Sequence, residues 1–543
     1  MSTTKLCIVF FSILITEAFT QTFIPPGDVS GTWLSASSPY YIQGEISVPN
    51  GETLTIEPGV NVVFQGHYKF NIQGKILAIG TQQDSVHFTA ADTDSGWHGI
   101  RFDSTSITND TSRFYYCAFR YGKANTGIGF DRCGGAILIK YFDKVIISNC
   151  LFDHNMQSGE GWEPPEAGPA IYIWYASPTI TRSTFTYNAG SKGSAIACLH
   201  SANGLISNNI YTQNQGMGGP VVVRNEGSPT ISGNIIFNNY SSVAAGGIAA
   251  ELNTSARIEN NIIYNNYAPY GAGIFCWTDS RPIIINNTII YNYASTGGGG
   301  ICCYINCDPI LINNVIYGNT TINGGNQVCL LDNQSDPYFF FCDVEGGKFG
   351  FGGDGAGGNY SGLYENNIDT IPYFLDVNSK DFRLSDYSPC IGAGIDLIEI
   401  EGEWYYVPPY CIEGNPRPNP PGSMPDIGAY ENHLGIPLVR VEEDTNFPTE
   451  FSLEQNYPNP LNPSTKISWQ SPVGSHQTIK VYDVLGNEVA TLVDEYKPAG
   501  KYETEFNASS LTSGVYFYQL KAVDPSTGSG QIFIQTKKMI LIK

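Results

Sequence analysis

Positive charge is what this chain has least of: 28 Lys and Arg stand against 50 Asp and Glu, a formal net charge of −22. Nucleic acid and anionic lipid both call for a basic surface, so neither fits as a partner. Charge of either sign is thin, at 14% of residues, against about a quarter in ordinary soluble domains. That scarcity does not mean disorder, because aromatics reach 13% and β-branched residues are plentiful. No window combines a helical period with caps, which removes the helical architectures. Beyond residue 20 no run of eighteen apolar residues occurs, so the mature chain is expected to be soluble. The cysteines show no paired CxxC and no accompanying His pair, so no zinc site is expected.

What is abundant is glycine, 59 residues, and a repeat. From Ile137 to Asn319 the chain reads as seven copies of one unit, each opening with small residues and a short apolar strand: GGAILIK, GPAIYIW, GSAIACL, GPVVVRN, GGIAAEL, GAGIFCW and GGGICCY. Each closes on Asn155, Asn188, Asn214, Asn239, Asn266, Asn292 or Asn319, at spacings of 33, 26, 25, 27, 26 and 27. A fixed period in this range is the signature of a solenoid. Earlier phrases such as ISVPNGETLTIEPGVNVVFQ and SRFYYCAFRYG alternate apolar and polar residues between turn-formers, as less regular turns of the same solenoid would.

Alternation within the repeat strand separates two faces. The inward pairs are Ile137/Ile139, Ile171/Ile173, Ile196/Cys198, Val221/Val223, Ile248/Ala250, Ile274/Cys276 and Ile301/Cys303. The outward pairs are Leu138/Lys140, Tyr172/Trp174, Ala197/Leu199, Val222/Arg224, Ala249/Glu251, Phe275/Trp277 and Cys302/Tyr304. Stacked rungs make the outward set a strip about 30 Å long. A column of Asn209, Asn234, Asn261, Asn287 and Asn314 fits an amide ladder along the axis. A leucine-rich repeat shares the period, but Ile, Val and Asn dominate here and a second β-like run fills the return. The chain thus resembles the right-handed parallel β-helix proteins of the pectate-lyase-like superfamily over residues 43–431.

Residues 1–20, with Lys5, the apolar run LCIVFFSILI and Ala18-Phe19-Thr20, read as a secretory signal peptide. Residues 21–42 read as a lead-in. After Asn319 the period fades into a Gly-rich stretch, and the phrases DFRLSDYSPCIGAG and GNPRPNPPGSMPDIGAYE resemble the C-terminal cap of secreted bacterial β-helix proteins. Asp376 and Asp381 there fit either turn formation or a calcium site, and no other cofactor is expected. Twelve cysteines beyond Cys7 suit an oxidising compartment. Cys390 with Cys411, both in the cap, can close a disulfide, and Cys276 with Cys303 are either stacked apolar residues or a cross-rung disulfide.

Residues 432–449 read as a linker, and 450–543 as a small Ig-like β-sandwich. Its phrases Asn456-Tyr457-Pro458-Asn459-Pro460, Val481-Tyr482-Asp483, Gly486, Ser513-Gly514-Val515-Tyr516 and Lys537-Lys538-Met539 closely resemble the C-terminal sorting domain of type IX secretion cargo. That resemblance implies export through the type IX machinery and a place outside the cell or on its outer surface.

The outward strip is the candidate site. Lys140, Tyr172, Trp174, Arg224, Glu251, Phe275, Trp277 and Tyr304 combine flat rings with charges, a pattern that suits extracellular polysaccharide. Lyases and hydrolases of the superfamily imply an enzyme on the same strip, for which Arg224 and Glu251 are the catalytic candidates. On adjacent rungs, these two also fit a plain ion pair. The insertion MQSGEGWEPPEAG after Asn155 carries Glu160, Trp162, Glu163 and Glu166, preceded by Asp153 and His154, and could fold over the strip. A structural surface protein or adhesin, with the solenoid as a spacer, is the remaining reading. The protein is expected to be a monomer.

Overall fold

The computed structural model describes residues 21–159, 167–438, 450–524 and 531–543. The chain divides into two compact units at Val439–Arg440. The first is a parallel β-solenoid whose described strands form sheets of 13, 12 and 13 strands, with a shorter fourth sheet of 8. The 12-stranded sheet carries the repeat strands, from Ile137–Lys140 through Ile301–Tyr304. Register follows the sequence columns: Ile137 pairs with Ile171, Ile171 with Ile196, and Ile274 with Ile301. The solenoid begins earlier than the sequence suggested. Thr22–Ile24 pairs with Tyr40–Ile42 and Gly31–Trp33 with Thr53–Ile56, so the lead-in is itself the first turn.

The period has a packing cause. Stacked rungs sit about 4.8 Å apart, so each inward residue lies on its counterpart one turn along. Phe88, Phe119, Phe152, Phe185 and Tyr211 form one such column, with ring centroids 5.0, 4.8, 4.7 and 4.8 Å apart. Each stacked pair adds about 0.5–1.5 kcal/mol beyond its area burial. Gly247, Gly273 and Gly300 form another column, because a Cβ on either of the first two would stand 2.4 Å from the next rung's glycine carbonyl oxygen.

The paired Asn of the repeat divide two tasks. Asn208, Asn260, Asn286 and Asn313 take positive φ at one bend, and Asn238 and Asn265 at the next, a conformation Asn tolerates better than most residues. The residue after each points inward and joins a ladder. Asn209 Nδ2 donates to Asn234 Oδ1 at 3.1 Å, Asn234 to Asn261 at 2.9 Å, Asn261 to Asn287 at 2.9 Å and Asn287 to Asn314 at 3.0 Å. The closing residues build a second ladder, Asn155 through Asn319, which ends on Gln327. Each rung's Oδ1 also accepts the preceding rung's backbone N–H, as Asn287 does from Asn261. Buried bend groups are satisfied in this way.

The C-terminal part of this unit differs from the expected cap. The Gly-rich stretch covers the last turn: Phe351 and Tyr364 pack on Phe339, with ring centroids 5.2 and 5.7 Å away. The chain then runs back along the flank, where Phe382, Leu384, Ile391 and Ile427 pack on Ile262, Ile290 and Val315. Polar anchors fix this brace to the bend asparagines. Asn286 Nδ2 donates to the carbonyls of Asp426 and Gly428, and Asn313 Nδ2 to that of Ile395. Arg417 and Glu431 form a fully buried ion pair, Nε to Oε2 2.8 Å, and Arg417 Nη1 reaches Asn260 Oδ1 at 2.7 Å. Cys390 and Cys411 are both free thiols, which corrects the expected disulfide; Cys390 Sγ instead donates to Asp343 Oδ2 at 3.3 Å. All twelve described cysteines are buried and none of them forms a disulfide. Asp376 caps its own hairpin, accepting from the Asn378 backbone at 2.9 Å, and Asp381 is bonded to Arg383 Nε at 2.8 Å. Both carboxylates are thus used by the hairpin itself.

The second unit is a sandwich of a three-stranded and a four-stranded antiparallel sheet around Leu453, Ile467, Trp469, Ile479, Tyr518, Leu520 and Met539. Its opening motif has a structural role. The Asn456 backbone N–H donates to Tyr518 Oη at 2.7 Å, and Asn459 Oδ1 accepts from Ile540 N at 2.9 Å.

Candidate functional site

The repeat strand exposes two outward columns, and the fold treats them differently. The first column, Leu138, Tyr172, Ala197, Val222, Ala249, Phe275 and Cys302, is buried. The chain entering each strand crosses over it, placing Ala244, Ala245 and Tyr270 against Val222, Ala249 and Phe275. The second column, Lys140, Trp174, Leu199, Arg224, Glu251, Trp277 and Tyr304, is most open to solvent at its C-terminal end, where Tyr304 is 39% exposed.

The N-terminal half of the strip is roofed. Phe130, in the short 3-10 helix Gly129–Arg132, sits edge-on to Trp174 at 5.1 Å and to Tyr172 at 6.3 Å. Tyr172 is 0% exposed and Trp174 8%, so these two rings belong to a small accessory core with Cys133, Leu138 and Leu199. This corrects their expected place on a binding surface. Apolar rings of that size lose more by staying wet than a loop loses by folding over them. Lys140 is likewise engaged, with Nζ 3.0 Å from Asp103 and 4.3 Å above the Phe130 ring.

The C-terminal half is an open groove of about 480 Å³, lined by Glu251, Tyr270, Phe275, Trp277, Tyr304, Leu331, Met217, Val243 and Ala244. Trp277 and Tyr304 are register partners on adjacent rungs. Arg224 and Glu251 pair across neighbouring strands with Nη1 3.3 Å from Oε2, and the guanidinium lies 5.6 Å from the Trp277 ring centre. Burial pushes the Glu251 carboxyl above its ordinary range, while Arg224 and Lys192 pull it back.

A second groove of about 410 Å³ lies where the same strands turn, lined by Tyr175, His200, Asn225, Glu226, Leu252, Asn253, Thr278 and Asp279. Here Tyr141 stacks on Tyr175 at 5.4 Å and Tyr175 on His200 at 5.2 Å. His200 also meets the Trp174 ring at 3.9 Å and bonds Asn225 Nδ2 through Nε2 at 2.9 Å. Tyr141 and Tyr175 are 55% and 44% exposed. They stand one place beyond the strand in successive copies, so extending the repeat columns by one position would have found them. Leu331 follows Tyr304 in the same outward column one rung on, so continuing the repeat by one copy would have found it, whereas Tyr270 comes from outside the repeat strand and no column points to it.

Of the other sequence candidates, Glu160, Trp162, Glu163 and Glu166 lie outside the described residues, as does the segment 1–20 read as a signal peptide. Asp153 belongs to a different sheet, where it pairs with Arg120 at 3.2 Å, and His154 follows it. Among the described residues no cluster of His, Cys, Asp or Glu could hold a metal ion.

Comparison with known proteins places these features. Residues 76–289 and 169–344 match the right-handed beta helix region, and residues 455–535 the secretion system C-terminal sorting domain. No curated protein matches. Among solved structures the chain is similar to the enzymatically active domain of bacteriophage CBA120 tailspike protein 2, at 11% identity over 96% of this chain and 72% of that one, with a TM-score of 0.17. The sorting domain marks the protein for type IX export to the cell surface or the extracellular space. No helix among the described residues is long and apolar enough to cross a membrane. The chain is a right-handed parallel β-helix protein that carries a type IX C-terminal sorting domain.

Proposed function

We propose that this exported protein binds extracellular polysaccharide in the open C-terminal half of the strip. The observation that carries the reading is the groove itself. Trp277 stands in register with Tyr304 on the next rung, so the two rings form one wall, with Phe275 packed at its base. Sugar C–H faces pack on such rings, while Glu251 supplies a hydroxyl acceptor. An apolar groove of this kind on a surface protein favours contact with a partner. Rigid rungs hold the rings in place before binding, which limits the entropy lost on association.

Binding is favoured over turnover. A hydrolase of the common kind places two carboxyl groups about 5–9.5 Å apart across the scissile bond, and Glu251 is the one acid lining this groove. Its partner Arg224 is tied to it rather than aimed into the groove as a base. The reading is tested by affinity electrophoresis of the full chain against a panel of polysaccharides. Retardation by at least one polymer is expected, and Trp277→Ala should abolish it. A chain that migrates freely through every polymer overturns the proposal.

A further inference from the structure

The charge pattern around the groove narrows the class of polymer. The 480 Å³ groove has no Lys or Arg in its lining, and neither has the adjoining 410 Å³ groove; between them they carry the carboxylates of Glu251, Glu226 and Asp279. The cations nearest the strip already have partners, among them Lys192, which stands close enough to Glu251 to lower its carboxyl pKa. Lys69 pairs with Asp131 at 2.7 Å, Lys140 with Asp103 at 3.0 Å and Arg224 with Glu251 at 3.3 Å. Arg101 is buried and donates to the carbonyls of Cys133 and His98. The chain as a whole carries −22. A polymer with a carboxylate on each sugar would meet Glu226 and Asp279 as like charge and find the nearby cations already paired.

Neutral sugars meet the opposite situation. Their hydroxyls donate to carboxylates without a charge penalty, and Asn225, Asn253 and Thr278 at the turn offer further polar partners. Their C–H faces suit Trp277 and Tyr304. Resting on the polysaccharide-binding reading above, we propose that the strip takes a neutral polysaccharide and rejects polyuronates, the pairing of Arg224 with Glu251 being what withholds the cation a uronate would need.

The test is affinity electrophoresis of the full-length protein in gels containing a neutral β-glucan, xylan or mannan, and in gels containing polygalacturonate or alginate, each with and without calcium. Retardation by a neutral polymer alone supports the proposal. Retardation by a polyuronate, with or without calcium, overturns the class while leaving the binding reading intact. Free migration in every gel overturns both. Tyr304→Ala, at a half-exposed position, should weaken neutral-polymer binding about tenfold, and unchanged binding in both Tyr304→Ala and Trp277→Ala moves the site away from this groove. Glu251→Gln, which leaves Arg224 charged and unpaired, should raise polyuronate retention about tenfold in low salt. A Glu251→Gln chain as indifferent to polyuronate as the parent would overturn the role given to the pair.

Discussion

Arg224 and Glu251 stand in register on adjacent rungs, 3.3 Å apart, with the guanidinium lying against Trp277 one rung farther on. Three successive rungs thus contribute one charge pair and one ring to a single surface. The pair stands where the strip passes from the half covered by Phe130 to the half that is open.

Trp174 and Trp277 occupy the same column but should behave differently. Trp174 is buried under Phe130, so Trp174→Ala should cost about 3–5 kcal/mol of stability and leave glycan retention unchanged. Trp277→Ala should do the reverse. Denaturant titration and gel retardation of both variants separate the two roles.

The asparagine ladder should be sensitive to single deletions. Asn261 Nδ2 donates to Ile231 O and Asn287 Oδ1, both at 2.9 Å, and its Oδ1 accepts from Asn234 N and Nδ2, both at 2.9 Å. Asn261→Ala leaves these buried groups unmatched at about 1–3 kcal/mol each. A fall in the urea midpoint larger than that of Asn203→Ala, which alters a loop position, is the expected result.

Arg417 should be needed for the brace. It is fully buried against Glu431 and also bonds Asn260, and removing one member of such a pair costs about 3–5 kcal/mol. Arg417→Ala should speed limited proteolysis between residues 390 and 432, read by mass spectrometry. Cleavage at the parent's rate would contradict the role of this anchor.

Asp343 gives a pH dependence with a defined sign. Burial raises its carboxyl to about 7, against bonds from Thr370 and Cys390 that lower it and the charge of Asp369 that raises it. A raised folded pKa means the native state binds the proton more tightly. The contribution is therefore complete below the ordinary value near 3.8 and is lost as pH rises through about 7. Asp343→Asn should flatten the decline in Tm between about pH 4 and 7, and an unchanged profile would count against this assignment.

Export depends on the second unit. A chain ending before Phe451 should accumulate in the periplasm, checked by fractionation and immunoblotting. Normal appearance of the truncated chain outside the cell would show that another signal suffices.

How much of this was legible beforehand depends on the distance over which each contact repeats. In a solenoid, residue i rests on a residue one turn later, so the period encodes the contact map directly. Ile137, Ile171, Ile196 and their successors could be aligned by eye, and so could the Asn209 to Asn314 ladder. The second ladder, Asn155 through Asn319, shows in the sequence as the closing position of each copy, without its bonding. The fate of the outward strip was not periodic at all. Phe130 comes from an irregular segment before the first regular copy and Tyr270 from outside the repeat strand, so no column in the sequence announced which rings they would cover.

What the sequence determined by itself is the rung: its length, its inward apolar column, the Asn at its bends and the sorting domain that follows. Those features arise from contacts between copies of the same text, which repetition makes readable. Only the tertiary structure decided that Tyr172 and Trp174 are core, that Trp277 and Tyr304 are surface, that the chain after the Gly-rich stretch runs back as a brace, and that Cys390 and Cys411 stay apart. Each of these is settled by parts of the chain that do not repeat. Alternation assigns a side chain to a face of the sheet, but whether that face is wet depends on what else the chain lays over it.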